Sequence, residues 1–263
     1  MLNQHELLQE VASLEHVRRR RITTSAELSK SDDAFFITAG KALIREDAVF
    51  KSGLDSTQTF TAGDSIYLAA VLSKRSRDWN FTVHEPLDVI AVEGAAVRDA
   101  VMKSGFLVNE MIRNCVTRIF NVPQRENATF EDRFLRHFRK VALRSLYETG
   151  ASIYRIGDAA KGLYFIEEGS VYLTTLRNAK FATLQETDFF GEASLISASN
   201  HTKNAYAETD CSLLLLTPEA VEAEVNRETA LVKLVLSNIL RVLELMNQLR
   251  FSHLNSTNFK GLY

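Results

Sequence analysis

The stretch DFFGEASLISASNHTKNAYA, residues 188–207, holds the residues of this chain best suited to bind a small anionic molecule. Gly191 lets the backbone approach a ligand phosphate because no Cβ stands in the way. The backbone amides of Ala193 and Ser194 follow where a helix or turn should begin, and such N–H groups form anion-binding concavities. The pattern therefore predicts a phosphate-binding corner. The alternative is that the corner only turns the chain between two strands.

Side chains suited to catalysis or metal binding do not form a recognisable pattern elsewhere in the sequence. There is no nucleophile elbow, Walker loop or dinucleotide fingerprint. The histidines, which do not pair at metal-ligand spacing, are His5, His16, His84, His137, His201 and His253. We therefore predict no catalytic residue, no metal site and no cofactor, and we do not expect an enzyme.

The composition is that of a globular protein without a strong charge bias. The 263 residues include 31 basic and 33 acidic side chains, so no overall field favours nucleic acid or a membrane surface. The N-terminus lacks the apolar core of a signal peptide, and no apolar run is long enough to cross a bilayer. Cys115 and Cys211 lie far apart and suit a reducing compartment. These features predict a cytoplasmic protein.

Three segments of the first half recur in the same order in the second half, about 125 residues later, which indicates a duplicated domain. Two of them, AFFITAGKALIR and LYFIEEGSVYLT, predict a hairpin in each copy, because a polar break with glycine separates two apolar runs. The matched segments are 34–45 with 163–174, 59–72 with 182–196, and 81–92 with 204–216.

The polar segment NVPQRENAT, residues 121–129, separates the two copies. We therefore predict domains at 1–122 and 130–250, followed by a tail at 251–263. Helical periodicity flanks many short strands in each copy. The predicted fold is α+β, with two tandem β-roll, jelly-roll-like barrels, flanking helices and a long C-terminal helix.

The second copy resembles the cyclic nucleotide-binding domain of the catabolite activator and protein kinase A regulatory subunit family. The resemblance covers roughly residues 130–250, and its most specific motifs are Gly157-Asp158, Gly169 and Phe190-Gly191-Glu192. It implies that cAMP or cGMP is the ligand and that Glu192 accepts a hydrogen bond from the ribose 2′-hydroxyl. In the first copy Ile66-Tyr67-Leu68 replaces Phe-Gly-Glu, so that copy is expected to be degenerate and structural.

The same resemblance places His201 where the family has its phosphate-binding arginine, with Thr202 and Lys203 next to it. Losing one charge-assisted contact costs about 1.5–3 kcal/mol. Histidine is mostly neutral at pH 7, so a phosphate contact through His201 predicts binding that strengthens as the pH falls toward about 6. Lys203 compensates only if the segment is extended, and the alternative for both side chains is a solvated loop.

Residues 227–250 show the apolar spacing of a coiled-coil seam on a long helix. The seam is Val232, Leu236, Ile239, Leu243 and Met246, and Val235, Val242 and Leu249 widen it. The breadth of this stripe predicts that one face packs on its own roll and the other on a second copy, giving a homodimer. In the family the matching helix dimerises the protein and reports ligand occupancy. The alternative is a purely intramolecular helix.

The segment EHVRRRRITTS, residues 15–25, is the only dense basic run. We interpret it as cations at the C-terminus of a helix, where they stabilise the helix dipole. A docking site for an acidic partner is the alternative. The tail at 251–263 is too short for a helix-turn-helix, so DNA binding is not expected.

These patterns predict a cyclic nucleotide-responsive regulatory protein that acts on an unidentified protein partner. Two alternatives remain open. The first is a ligand-free scaffold that uses both rolls for protein–protein contact. The second is a binder of another ligand, such as cyclic di-GMP.

Overall fold

The computed structural model describes residues 4–29, 32–45, 57–75, 79–120, 137–138, 141–192 and 200–259. The fold is α+β with antiparallel sheets. The chain divides into two compact units. The N-terminal unit comprises Leu2–Ser104 and Glu228–Leu249, and the C-terminal unit comprises Gly105–Arg227 and Arg250–Tyr263. Residues 105–120 thus belong to the C-terminal unit and residues 228–249 to the N-terminal unit.

The N-terminal unit contains a five-stranded sheet in the order β1-β5-β2-β3, with β4 paired to β2. Its core lies on the sheet and combines aromatic and β-branched side chains. The elements are α1 (Gln4–Val11), β1 (Val17–Ile22), α2 (Ser25–Ser29), β2 (Asp33–Arg45), β3 (Thr57–Phe60), β4 (Ser65–Ile66), α3 (Leu68–Ser73), β5 (Phe81–Glu93) and α4 (Gly94–Met102).

The hairpin predicted at residues 34–45 is wrong, because β2 runs through the whole segment as one strand. Gly40 has φ +92°, and the pairing of β2 with β5 shifts register between Ala39 and Lys41. Gly40 therefore allows the positive φ at a register shift within the strand, and it does not form a turn. A Cβ at Gly40 would lie 2.0 Å from the carbonyl oxygen of Pro86, so the close approach of β5 also requires glycine.

The helix predicted for the basic run is also wrong, because β1 occupies it and pairs with β5. Ile22 is fully buried and pairs with Leu87. Arg18 donates to Glu93 at 2.6 Å on the exposed surface. Tertiary pairing therefore outweighs the local helical signal of this segment.

The C-terminal unit contains two four-stranded antiparallel sheets, in the orders β10-β9-β12-β7 and β11-β8-β13-β6. Its described elements are α5 (Phe106–Ile119), β6 (Leu143–Tyr147), β7 (Ser152–Tyr154), β8 (Leu163–Glu168), β9 (Val171–Thr174), β10 (Lys180–Leu184), β11 (Phe189–Phe190), β12 (Asn204–Ala207), β13 (Cys211–Leu216) and α6 (Pro218–Asn226). The seam at residues 121–129 lies outside the described residues.

The second predicted hairpin, at residues 163–174, is wrong for a different reason. Its strands β8 and β9 belong to different sheets, and Gly169 with φ +83° lies between them. A Cβ at Gly169 would lie 2.3 Å from the carbonyl oxygen of Asp210. Gly169 therefore lies at a corner between the two sheets. The sequence pattern alone does not distinguish such a corner from the turn of a hairpin.

Strand pairings of the N-terminal unit recur in the C-terminal unit at the positions matched by sequence. Strand β4 pairs with β2 as β11 pairs with β8, and β5 pairs with β2 as β13 pairs with β8. The corresponding partners are Phe35–Ile66 with Tyr164–Phe190, and Phe36–Ile90 with Phe165–Leu214.

The aspartate turns are equivalent as well. Asp64 Oδ2 accepts from the backbone N–H of Thr61 at 2.9 Å, and Asp188 Oδ2 accepts from that of Gln185 at 2.8 Å. In both turns the aspartate carbonyl also accepts from an isoleucine of the long central strand, at 2.9 Å in the first unit and 3.0 Å in the second. Each carboxylate thus closes its own turn through a local bond.

The C-terminal helix, α7, spans Ala230–Phe259. Within the N-terminal unit, Leu245 packs against the core and Arg241 donates to Asp64 Oδ1 at 2.7 Å. The first part of the helix therefore packs within the N-terminal unit, whereas the sequence placed it against the roll of the second copy. The eight apolar seam residues are all buried within one chain, so the breadth of the stripe does not require a second copy.

The close approach at Gly40 predicts a large effect of Gly40→Ala on stability. Strain at positive φ costs about 1–2 kcal/mol, and the clash with Pro86 should raise the total loss to at least ~3 kcal/mol. Gly150→Ala is the matched control, because Gly150 has φ +83° and nothing within 4 Å of an added Cβ. Calorimetric unfolding of both variants measures the difference. Equal losses would contradict the steric explanation.

Candidate functional site

The corner after β11 has the backbone geometry that its glycine predicts. Gly191 has φ +86°, and a Cβ there would lie 2.9 Å from the carbonyl oxygen of Gly162 and 3.2 Å from the ring of Tyr164. The described structure therefore explains this glycine by packing against β8 and its preceding loop. Phe190 is fully buried and stacks on Tyr164 with ring centroids 5.0 Å apart, as a core residue does. Ala193 and Ser194 lie outside the described residues.

Glu192 forms a buried ion pair with Arg118 of α5. Arg118 Nη1 lies 2.9 Å from Glu192 Oε1 and also donates to the carbonyl oxygen of Phe189 at 2.9 Å. The two side chains are only 9% and 12% exposed. Burial lowers the pKa of Arg118, but the combined attraction of Glu192, Cys115 and Asp188 outweighs burial and raises the pKa, so the guanidinium stays charged.

Helix α5 is held to this corner at two further points. Asn114, one turn before Arg118, donates to Asp188 Oδ1 at 2.8 Å. Arg250 of α7 donates to the backbone carbonyl oxygens of Arg118 and Ile119 at 2.6 Å and 3.0 Å, which satisfies acceptors at the end of α5. The ion pair is therefore fixed from both the β-roll side and the α7 side.

His201 is buried, 7% exposed, and stacks on Tyr154 with ring centroids 3.6 Å apart and an interplanar angle of 3°. Its backbone N–H donates to the carbonyl oxygen of Asp158, and its own carbonyl accepts from Gly157. The Gly157-Asp158 motif and the His201 segment therefore meet, although they lie far apart in sequence.

Burial lowers the pKa of His201, and the nearby carboxylates of Asp158 and Glu192 offset this only in part. The imidazole is therefore neutral at pH 7. Its protonation near pH 6, on which the predicted strengthening of binding depends, is opposed by this environment. The two site residues predicted after His201 are less buried than it is: Thr202 is exposed and Lys203 is half-buried.

Three buried side-chain atoms of this cluster have no hydrogen-bond partner: Arg118 Nη2, Glu192 Oε2 and His201 Nε2. Buried polar atoms are normally satisfied, and each one left alone costs about 1–3 kcal/mol. One of the three is a donor, one an acceptor, and one a neutral ring nitrogen that takes either role according to its tautomer. The cluster therefore contains buried donor and acceptor atoms that no described residue satisfies.

The matching corner of the N-terminal unit is filled by an aromatic side chain. Tyr67, in the position of Gly191, has φ +63° and is buried in the core. Its ring meets that of Phe81 edge-on at 5.4 Å, and its hydroxyl donates to the carbonyl oxygen of Trp79 at 3.2 Å. Leu68 stands where Glu192 is and begins α3. This corner therefore lacks the carboxylate and the glycine.

Other kinds of site find no support among the described residues. No group of three or more His, Cys, Asp or Glu side chains in them could hold a metal ion. No described helix is both long and apolar enough to cross a bilayer. Cys115 and Cys211 are buried free thiols, and burial raises the pKa of each.

The lowered pKa of His201 predicts a pH-dependent stability. Below about pH 6.5 the unfolded chain binds more protons at this residue than the folded protein does, so the free energy of unfolding falls as the pH decreases. His201→Gln removes this contribution. Urea unfolding of both proteins at pH 7.5 and pH 5.5 measures it, and we expect a larger loss for the wild type. Equal losses would show that burial does not keep His201 neutral.

Comparison with known proteins identifies a family match within the C-terminal unit. Residues 144–228 match the model of the cyclic nucleotide-binding domain family. A search of curated proteins found no significant match to the chain.

Three solved structures illustrate the likeness. Cyclic AMP-bound PfPKA-R (141–441) is 13% identical, with 92% of this chain and 90% of that one covered and a TM-score of 0.36. The catabolite activator protein of Thermus thermophilus is 28% identical over 49% of this chain and 59% of that one, with a TM-score of 0.36. The EAL enzyme Bd1971 is 29% identical over 39% of this chain and 96% of that one, with a TM-score of 0.33. The family model covers residues 144–228, about a third of the chain, and shows that this segment is similar to a cyclic nucleotide-binding domain.

Proposed function

We propose that this chain is a regulatory protein that binds a cyclic nucleotide, or a related ribose-bearing molecule, at the corner formed by Gly191 and Glu192. The observation that carries the proposal is Glu192 itself. It lies within the matched domain, is buried, and keeps one carboxylate oxygen without a partner. A ribose hydroxyl donating to that oxygen would form a charge-assisted hydrogen bond. His201 would lie at the opposite side of the ligand.

Ligand occupancy would reach α7 through Arg118. The side chain of Arg118 binds Glu192, and its backbone carbonyl binds Arg250. A ligand that takes part of the bonding of Glu192 changes the preferred position of Arg118 and hence of the carbonyl that Arg250 holds. The ligand shifts α7 only to the extent that it binds one arrangement better than the other.

The N-terminal unit would be a degenerate copy of the same domain with a structural role. Its strand registers match those of the C-terminal unit, which supports duplication. Tyr67 fills the corner where Gly191 admits close approach in the other unit. The two-roll architecture with domains at 1–122 and 130–250 is part of this proposal, as is a cytoplasmic location.

A ligand-free scaffold is the second candidate function. It is favoured by the neutral, stacked His201, which replaces a permanent cation. Homodimerisation through residues 227–250 and an unidentified protein partner fit either function. Neither function includes a catalytic step or a contact with DNA. Cyclic di-GMP is the other ligand to test.

Binding is tested by calorimetric titration of the whole chain with cAMP, cGMP and cyclic di-GMP. We expect micromolar or weaker binding of at least one of them. Glu192→Ala should weaken it by at least about tenfold, because a charge-assisted hydrogen bond is lost. Glu148→Ala removes an exposed carboxylate of the same unit and serves as the matched control. Unchanged binding in Glu192→Ala would place the ligand elsewhere, and no binding at millimolar ligand would favour the scaffold.

Coupling to α7 is tested by hydrogen exchange of residues 230–259 with and without saturating ligand. We expect the ligand to change exchange in the wild-type helix, and Arg250→Ala to reduce that change because two bonds to the end of α5 are lost. Ligand affinity measured in parallel shows whether the variant still binds. The same ligand-dependent change in Arg250→Ala would exclude this route.

A further inference from the structure

The N-terminal unit has a cleft of about 800 Å³ between helix α1 and its sheet. Its walls come from α1, from strands β1, β2 and β5, and from the turn before β4. The described residues that line the cleft all belong to this unit. Sites for small organic ligands typically measure about 300–1,000 Å³. The cleft therefore has the size of a small-molecule site.

The strand register places two arginine side chains on the cleft side of the sheet. Residues directly opposite each other in an antiparallel pair point to the same face. Arg19 lies opposite Ile90, and Arg21 lies opposite Asp88. All four residues line the cleft. The basic segment of β1 thus presents two of its guanidinium groups to this space.

The cleft lies on the other face of the sheet from the corner that Tyr67 fills. The side chains of Tyr67 and Val89 belong to the core cluster, and side chains alternate between faces along β5. Arg20, opposite Val89, follows the core side: its guanidinium lies 5.9 Å from the ring centroid of Phe35 and 3.9 Å from Asp33. The cleft is therefore separate from the position that matches the candidate site of the C-terminal unit.

The two cleft-side arginines carry more positive charge than their surroundings neutralise. The guanidinium of Arg19 is exposed and has no ion-pair or hydrogen-bond partner among the described residues. Arg21 Nη1 lies 3.3 Å from Asp88 Oδ1, and these side chains are 66% and 46% exposed, so the pair is weak. Asp88 is the only acidic side chain among the described lining residues. One positive charge therefore remains for an anion.

The remainder of the cleft offers apolar surface more than free hydrogen-bonding groups. Two polar side chains of its wall already donate to backbone carbonyl oxygens, Gln4 to that of Gly63 at 2.5 Å and Thr38 to that of Asp88 at 2.8 Å. The apolar side chains of the wall are Leu8, Ala39, Ala62 and Ile90. A ligand with an apolar body is therefore suited to this part of the cleft.

We propose that this cleft binds a small amphipathic acid, whose apolar body lies between α1 and the sheet and whose carboxylate or phosphate group is bound by Arg19 and Arg21. The two residues are about 6.5 Å apart along the strand, within reach of one oxyanion. A guanidinium fork binds either kind of oxyanion through two parallel hydrogen bonds. This binding role goes beyond the proposed function, which gives the N-terminal unit a structural role.

The ligand class is tested by calorimetric titration of the whole chain with octanoate, octyl phosphate, 1-octanol and inorganic phosphate. We expect the tighter-binding octyl acid to bind at least about tenfold better than either 1-octanol or inorganic phosphate, because each of these lacks one half of the recognition. Equal binding of 1-octanol would exclude recognition by the arginines, and equal binding of inorganic phosphate would exclude the apolar part. No binding of either acid at millimolar concentration would also overturn the proposal.

The location is tested with Arg19→Gln, which should weaken binding of the octyl acid by at least about tenfold. Arg18→Gln is the matched control on the same strand, because Arg18 pairs with Glu93 and does not line the cleft. It should leave the affinity unchanged. Equal losses in the two variants would show that binding follows the overall charge, and would overturn the assigned site.

A second variant, Ala62→Phe, tests the cleft without changing any charge. Ala62 is exposed and lines the cleft, so a phenyl ring there should occupy the space of the apolar body and weaken binding. Thermal unfolding of each variant shows that it is folded. Unchanged affinity in a folded Ala62→Phe protein would contradict binding in the cleft. None of the four probes is a nucleotide, so failure of this proposal leaves the proposed function of the C-terminal unit unaffected.

Discussion

The candidate site depends on the buried ion pair between Arg118 and Glu192. Removing two charges from water is costly, and a buried pair is favourable only with good geometry and additional hydrogen bonds. Arg118 has one such bond to the carbonyl oxygen of Phe189, at the start of the corner. Breaking a pair of this kind typically costs about 3–5 kcal/mol, so the corner is held in place before any ligand arrives.

Under the proposed function, Arg118 takes part in both ligand binding and regulation. Arg118 points its side chain at Glu192, while its carbonyl lies at the end of α5 and is bound by Arg250. No long chain of contacts is needed between the pocket and α7, because a single residue contacts both. Under this proposal, a change in the Glu192 bond of Arg118 alters the position of its carbonyl, and a change in the Arg250 bond alters the position of its side chain.

The aspartate turns and the glycine corner could be predicted from sequence because their chemistry is local. Asp64 and Asp188 each cap a turn formed by their own neighbours, and Gly191 adopts the positive φ that favours glycine. Arg118 could not be predicted, since it lies 74 residues from Glu192 and its helix reads as the end of the first copy. Only the fold brings it to the corner.

The errors at Gly40 and Gly169 share one cause. A glycine in the sequence indicates that the backbone can adopt a positive φ. Positive φ occurs in turns, in strand irregularities and at corners between sheets, so glycine alone does not tell which of them forms. At Gly40 the neighbouring strand β5 continues past the irregularity and keeps β2 extended. At Gly169 the two flanking strands find partners in different sheets. The choice between these outcomes is made by strands distant in sequence.

The two matched corners differ in polarity, and this difference supports the proposed ligand site in the C-terminal unit. In the N-terminal unit Tyr67 has a positive φ, and its ring fills the corner. Its hydroxyl donates to the carbonyl oxygen of Trp79, so this corner has no carboxylate at the position of Glu192. In the C-terminal unit an aromatic stack has also replaced a cation, yet the ion pair and three unpartnered polar atoms persist. An apolar replacement of such a pair can remove the cost of burying two charges. Under the proposed function, a bound molecule satisfies the buried atoms that have no partner among the described residues.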